Sequence, residues 1–205
     1  MPTPQDIIKE MLSILHQSFL KTEGFRKTGK NWIRHGKWPQ AINIQLGKYN
    51  SSTDARFTIN LGISVGELHT LAERMPFSGN PIEPDCDLRR RIGELIPPGL
   101  DKWWSVTGES SAGQLAKEVH ADLSEYAMPW FNKMNNFETL AEEFSKGSDR
   151  FLAALAYYLA GDKLAAKETM LETYSWAHPL ALPLIRRVST KCGIHLPDEP
   201  VRPIP

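Results

Sequence analysis

Histidines, cysteines and paired carboxylates are the residues of this chain whose types could support catalysis or metal binding. The six histidines form no HxH or HExxH pattern, and Cys86 and Cys192 lie far apart without a CxxC spacing. The chain also lacks a glycine-rich phosphate loop that ends in Lys-Ser or Lys-Thr. The sequence therefore predicts no metal site, no cofactor and no recognised catalytic centre.

Smaller groupings of acid–base residues favour structural roles. His35 follows Arg34 at the end of a predicted strand, where a solvated histidine is the common case. Glu67 and His69 stand two residues apart on a predicted helix, so they point to different faces and make a poor acid–base pair. Asp85 and Asp87 follow a proline-rich loop and favour turn chemistry. An enzyme without a recognisable motif remains an alternative.

A set of amides, a hydroxyl, arginines and an indole is the strongest candidate for a binding site. Residues two apart in a strand share a face, so neighbouring strands can present these side chains together. Arginine and tryptophan are frequent anchors of protein interfaces. The candidate binding surface consists of Asn43, Gln45, Thr58, Asn60, Arg89, Arg91 and Trp103.

Three interpretations of this surface stay open. It could bind another protein, as an inhibitor or immunity-type module does. It could bind a nucleic acid or nucleotide through Arg89, Arg91, Trp103 and Lys48. Alternatively, the arginines bridge to nearby acids and Trp103 covers a sheet edge. Lysine plus arginine equals aspartate plus glutamate, 24 each, and this balance makes general nucleic-acid binding the less favoured choice.

An antiparallel hairpin over residues 40–62 must position the candidate surface. Ile42, Ile44 and Leu46 alternate with polar residues, and the same period of two recurs from residue 56 to residue 63. The polar stretch between the two runs predicts a loose turn. Such alternation indicates a sheet with one buried face and one open face.

The remaining patterns predict helices and strands around this hairpin. Thr3 and Ser111 are expected to cap two amphipathic helices, and Pro129 is expected to kink or end the second. A short helix is predicted over 64–75, before a proline-rich loop. Further strands are predicted over 25–35, with a bend at Thr28-Gly29, and over 86–95 and 102–107. The fold class is therefore α+β, an antiparallel sheet of about five strands with helices on one face.

The chain is expected to divide at about residue 135. Residues 1–135 form the α+β domain, 136–192 a helical extension packed on it, and 193–205 a proline-rich tail in extended conformation. FLAALAYYLAGDKLAAKETM resembles one tetratricopeptide-type helical hairpin. Since such repeats need about three copies to build a groove, a helical cap is favoured over a peptide-binding repeat.

Composition indicates a soluble globular protein. Of 205 residues, 41% are hydrophobic and 23% are charged, which is ordinary for a cytosolic domain. The isolated cysteines predict reduced thiols, and no apolar run approaches 18 residues. We therefore expect a cytoplasmic protein with no membrane span. The sequence sets no oligomeric state.

Five blocks of sequence resemble a bacterial family known as domain of unknown function 4304, over about residues 5–130. The blocks are GFRKTGKNWIR, INIQLGKYNSS, FTINLGI, LRRRIGEL and DKWW, in this order. The resemblance implies a small cytoplasmic bacterial protein without an assigned activity, so it supplies no catalytic residues. It also implies that the family pattern includes Gly24-Phe25, Asn43, Gln45, Asn60, Arg91 and Trp103-Trp104.

Overall fold

The structure is a computed structural model that describes residues 2–75, 79–147 and 149–200. The chain forms two compact units, which divide at residues 64 and 133. In the described chain, the first unit comprises 2–64 and 79–133. The second comprises 65–75, 134–147 and 149–200.

The first unit contains every strand of the described chain, and the second is helical. The strands are β1 (Arg26–Thr28), β2 (Asn31–Arg34), β3 (Gln40–Leu46), β4 (Asp54–Ile63), β5 (Leu88–Arg91) and β6 (Trp104–Thr107). The helices of the first unit are α1 (Pro4–Leu15), α3 (Ile92–Leu95), α4 (Ala112–Asp122) and α5 (Met128–Lys133). Those of the second are α2 (Gly66–Leu71), α6 (Phe137–Lys146), α7 (Arg150–Ala160), α8 (Lys163–Trp176) and α9 (Leu182–Lys191).

The sheet is antiparallel throughout, with the strand order β1-β2-β3-β4-β5. Strand β4 pairs with β3 along one edge. Its other edge pairs with β6 through Asp54–Phe57 and with β5 through Asn60–Ile63. The predicted α+β class and the antiparallel sheet are confirmed.

One face of the sheet carries the core of the first unit. Phe57, Ile59 and Leu61 point to this face, as the alternation predicted, and all are fully buried. Helices α1 and α4 pack together over it. The predicted caps are present, since Thr3 Oγ1 accepts a 3.2 Å hydrogen bond from Asp6 N–H and Ser111 Oγ accepts a 3.3 Å bond from Gln114 N–H. Each large apolar side chain buried in this layer contributes about 1.5–3 kcal/mol to stability.

Three predicted strands are shorter than the sequence pattern indicated, and the one predicted over 102–107 begins only at Trp104. The strand over 25–35 is divided into β1 and β2 by a tight turn at Gly29, where φ is 63°. The strand over 86–95 ends at Arg91, and Ile92–Leu95 forms a helical turn. The cause is the close approach of the following loop, because a Cβ on Gly93 would lie 2.2 Å from Leu100 O and 2.5 Å from Lys102 N.

The helix that starts at α4 continues beyond Pro129. A π-helical turn, Leu123–Ala127, joins α4 to α5, and the helix ends only at Lys133. Proline lacks an N–H group and crowds the carbonyl four residues earlier, so a widened turn before Pro129 lets the chain remain helical.

The second unit contains the predicted pair of helices. Gly161 ends α7 in the left-handed conformation, with φ at 87°, and the Asp162 carboxylate caps α8 by accepting a 2.9 Å hydrogen bond from Ala165 N–H. The likeness of this hairpin to a tetratricopeptide repeat stays a prediction. Residues 76–78 of the predicted loop and 201–205 of the predicted tail lie outside the described residues. Within the described ranges, no helix combines the length and hydrophobicity of a membrane span.

Candidate binding face of the sheet

The sheet presents polar side chains on the side opposite to the core. The register places Asn43 opposite Asn60, Gln45 opposite Thr58, and Asn60 opposite Arg91 on the next strand. Side chains of directly opposed residues share a face. We call the following set the polar face: Asn43, Gln45, Arg56, Asn60, Arg91 and Trp103.

Trp103 is the centre of this face. The guanidinium carbon of Arg56 lies 4.8 Å from the indole centroid, and that of Arg91 lies 5.6 Å away. Both distances are within the range of cation–π attraction. The indole Nε1 donates a 2.8 Å hydrogen bond to Asp101 Oδ2, and Arg91 Nη1 donates another 2.8 Å bond to the same oxygen. The ring and one arginine are therefore held by a single carboxylate.

Amide side chains extend the network across the sheet. Gln45 Oε1 accepts a 2.9 Å hydrogen bond from Asn60 Nδ2 and a 3.4 Å bond from Arg91 Nη2. Asn43 Nδ2 donates a 2.9 Å bond to Asn31 Oδ1 on the adjoining strand. These side chains are partly exposed and have fixed orientations, so the face is largely organised before any partner arrives.

Thr58 differs from the sequence-based expectation, which placed it on an accessible surface. Its side chain is fully buried, with 0% of its surface exposed. The hydroxyl donates a 2.7 Å hydrogen bond to Lys102 O, which lies in the stretch between β5 and β6. Thr58 therefore anchors the residue before Trp103 and is not available for direct contact with a partner.

Arg89 lies at the other end of β5 from Arg91, opposite Gly62. Its Nε donates a 2.6 Å hydrogen bond to Glu83 Oε1, and this bond raises the pKa of the arginine. Only 4% of the Glu83 side chain is exposed, against 52% of Arg89. Arg91 likewise pairs with Asp101, so both of these arginines contact an acid.

The face is covered near Gly62. A Cβ on Gly62 would lie 2.6 Å from Cys86 Sγ, so the segment after the Glu83–Asp85 helical turn rests directly on the sheet there. Burial raises the pKa of the Cys86 thiol, and nearby carboxylates raise it further. This thiol therefore remains protonated at neutral pH and is not an activated nucleophile.

Two members of the site were missed by sequence reasoning. Arg56 shares the strand parity of Thr58 and Asn60, so the alternation that identified those residues could also have identified Arg56. Asp101 lies in a loop, where no periodic signal marks it. Its hydrogen bond from Trp103, and then that from Arg91, hold the pKa of this carboxyl below its usual range.

His35 and the Glu67–His69 pair lie on different elements of the chain. His35 is exposed just after β2, whereas Glu67 is exposed and His69 is buried on α2 of the second unit. Across the described residues, no three His, Cys, Asp or Glu side chains are grouped to hold a metal ion.

This α+β domain is built on an antiparallel sheet. Helices cover one side of the sheet, and arginines, amides and an indole lie on the other. Residues 16–133 match the family described as Domain of unknown function (DUF4304). This match covers more than half of the chain, includes every strand of the described sheet and ends with α5. The chain therefore belongs to the DUF4304 family, which confirms the resemblance. No curated protein and no solved structure matches it significantly.

Proposed function

We propose that this chain is a protein-binding module, of the inhibitor or immunity type, which recognises an acidic surface of its partner through the polar face. The observation that carries this proposal is the cluster of Arg56, Arg91 and Trp103. Tryptophan and arginine are the residues most enriched in the energetic centres of protein interfaces.

Charge on the face supports an acidic partner. Arg91 is paired with Asp101, but Arg56 forms no ion pair with a carboxylate in the described part of the chain. The Arg56 guanidinium lies over the Trp103 ring, and its positive charge helps to lower the pKa of Asp101. The face therefore offers one positive charge for a partner carboxylate. Complementary charge accelerates association and excludes wrong partners.

The same geometry favours a protein over a nucleic acid. Binding along a phosphate backbone requires several cations that are free to replace counterions. Here Arg89 and Arg91 are each engaged by a carboxylate, and guanidinium groups already lie over the ring of Trp103. The amides of Asn43 and Gln45 suit the mixed donors and acceptors of a protein surface.

The test is affinity capture with the full chain from an extract of its own host, with and without nuclease. We expect a stoichiometric protein that survives nuclease, is lost with the Arg56→Glu variant and dissociates more readily at high salt. Lys117→Glu is the matched control, since Lys117 is exposed on α4 and lies outside the polar face.

The direct measurement follows with the purified partner. Arg56→Glu should weaken binding by about 2 kcal/mol or more, roughly thirtyfold, if Arg56 is an anchor of the interface. An acid-to-lysine change in the partner should then restore binding to this variant. Capture that disappears with nuclease would favour nucleic-acid binding. Equal affinity of both variants and the unmodified chain would refute the assignment of the polar face.

A further inference from the structure

A groove on the opposite side of the sheet has a different chemical character. It lies within the first unit, between α1 and the core face of β3, and its volume is about 320 Å³. Its apolar wall consists of Ile8 and Leu12 from the helix and Ile44 and Leu46 from the strand. A cavity of this size is at the small end of the range of ligand sites.

The groove is open beside the β1–β2 turn. Gly29 lines it there, and a Cβ on Gly29 would meet no atom within 4 Å. Leu46 is only half-buried although it shares the core parity of Ile44, so apolar surface remains accessible at this end. Gln5, another lining residue, fixes the start of α1 by donating a 2.7 Å hydrogen bond to Ser51 O.

Three lysines surround this apolar surface. Lys9 comes from α1, and Lys27 and Lys30 come from the β1–β2 hairpin. The register places Lys27 opposite Trp32 on the helix side of the sheet, and its Nζ lies 5.6 Å from the Trp32 ring centroid. No acidic side chain is present among the described lining residues. We call this site the lysine-rimmed groove.

Lys9 is the member of the rim with a nearby acid. Its Nζ lies 3.5 Å from Asp6 Oδ1, but both side chains are largely exposed, so the pair is weak. Lys27 and Lys30 stand on the other side of the opening, and both are exposed. An anionic group at the opening would therefore approach these two cations together.

We propose that the lysine-rimmed groove binds an amphiphilic anion with an unbranched alkyl chain and a carboxylate, such as a medium-chain fatty acid. The alkyl chain lies against Ile8, Leu12, Ile44 and Leu46, and the carboxylate is held by the lysines. This occupant follows from the combination of an apolar wall with a rim of one charge sign. It is independent of the proposed function of the polar face.

The probe is decanoate, titrated against the full chain below its micelle concentration and followed by calorimetry. Decanol is the uncharged comparison. We expect saturable one-to-one binding of decanoate, with weaker binding of decanol. Across shorter fatty acids, each added methylene should improve affinity up to about fourfold until the groove is filled.

Two double variants distinguish binding of decanoate in the groove from non-specific attraction of its carboxylate to exposed lysines. Lys27→Gln with Lys30→Gln should weaken decanoate binding by about three- to tenfold and leave decanol unchanged. The matched control is Lys21→Gln with Lys117→Gln, which removes two exposed charges outside the groove. All four lysines are exposed, so both proteins should remain folded, which circular dichroism checks.

A third variant tests the apolar wall. Leu46→Gln should weaken decanoate and decanol together, because it replaces half-buried apolar surface in the groove. The proposal is overturned by non-saturable binding, by equal affinity for decanoate and decanol, or by equal losses in the two lysine double variants. Unchanged binding in Leu46→Gln would also overturn it.

Discussion

Trp103 is fixed to Asp101 by a 2.8 Å hydrogen bond from its indole Nε1 to the carboxylate Oδ2. Because Arg91 donates to the same oxygen, the carboxylate sets the ring and the guanidinium group in one arrangement. The arrangement of the polar face therefore depends on the charge state of Asp101, a half-exposed loop residue.

Protonation of Asp101 should release this arrangement. The pKa of Asp101 is lower in the folded chain than in the unfolded chain, mainly through Trp103 and then through Arg91. The stabilisation is therefore complete above the unfolded pKa and is lost as the pH falls through the folded pKa. The indole N–H resonance of Trp103 should shift with a midpoint below the usual aspartate range.

The Asp101→Asn variant is the control for this titration. It keeps a side-chain oxygen that can accept from Trp103 but removes the charge and the titration. Its indole resonance should therefore show no transition in the same pH range. A midpoint at or above the usual aspartate value in the unmodified chain would contradict the hydrogen-bonded arrangement.

Gly93→Ala should destabilise the first unit and disturb the polar face together. The added Cβ would overlap Leu100 O and Lys102 N, so the stretch before Trp103 must move. Overpacking of this kind costs about 1–3 kcal/mol. Urea unfolding measures the loss, and the indole N–H resonance of Trp103 should move at the same time.

Gly113→Ala is the matched control for that substitution. Gly113 lies in α4, and the nearest atom to a new Cβ there is Ser111 Oγ at 4.0 Å. Alanine is favoured over glycine in a helix and meets no close atom here, so this variant should be at least as stable as the unmodified chain. Equal stability of Gly93→Ala and the unmodified chain would show that the loop does not depend on this close approach.

Strand alternation was sufficient to predict the central part of the site. Asn43, Gln45 and Asn60 could be placed together because a period of two fixes which residues share a face. Side chains near the strand ends were harder to predict. The burial of Thr58 and the early end of β5 both result from the loop that returns over Gly93, and local periodicity contains no information about such a contact.

Arg89→Ala should lower the free energy of unfolding although Arg89 is half-exposed. The variant leaves the buried Glu83 carboxylate without its 2.6 Å ion-pair partner. An unpaired buried acceptor is costly, but exposure of the arginine reduces the effect, so we expect a loss of about 1–2 kcal/mol. Arg26→Ala, on an exposed position of β1, should change stability by no more than about 0.5 kcal/mol.

A double-mutant cycle with Glu83→Gln isolates this pair. If the ion pair accounts for the loss, Arg89→Ala should cost less in the Glu83→Gln background than in the unmodified chain. Additive losses would mean that Arg89 stabilises the first unit by packing and not by its contact with Glu83.

Glu73 links two helices of the second unit and makes its stability dependent on pH. It follows α2 with φ at 55°, and its carboxylate contacts Lys191 Nζ at 2.6 Å and Arg187 Nη2 at 2.9 Å near the end of α9. These contacts, that of Lys191 first, lower the pKa of Glu73 in the folded state. Their contribution is complete above the unfolded pKa and is lost as the pH falls through the folded pKa.

Two variants distinguish the ion pairs from the backbone at this position. Glu73→Gln removes the charge and retains the left-handed backbone, so it should unfold at lower urea than the unmodified chain at neutral pH, and the difference should vanish in acid. Glu73→Gly also removes the charge but adopts this backbone without strain, so it should be more stable than Glu73→Gln at every pH. If Glu73→Gln were as stable as the unmodified chain at neutral pH, the contacts with Lys191 and Arg187 would have no stabilising role.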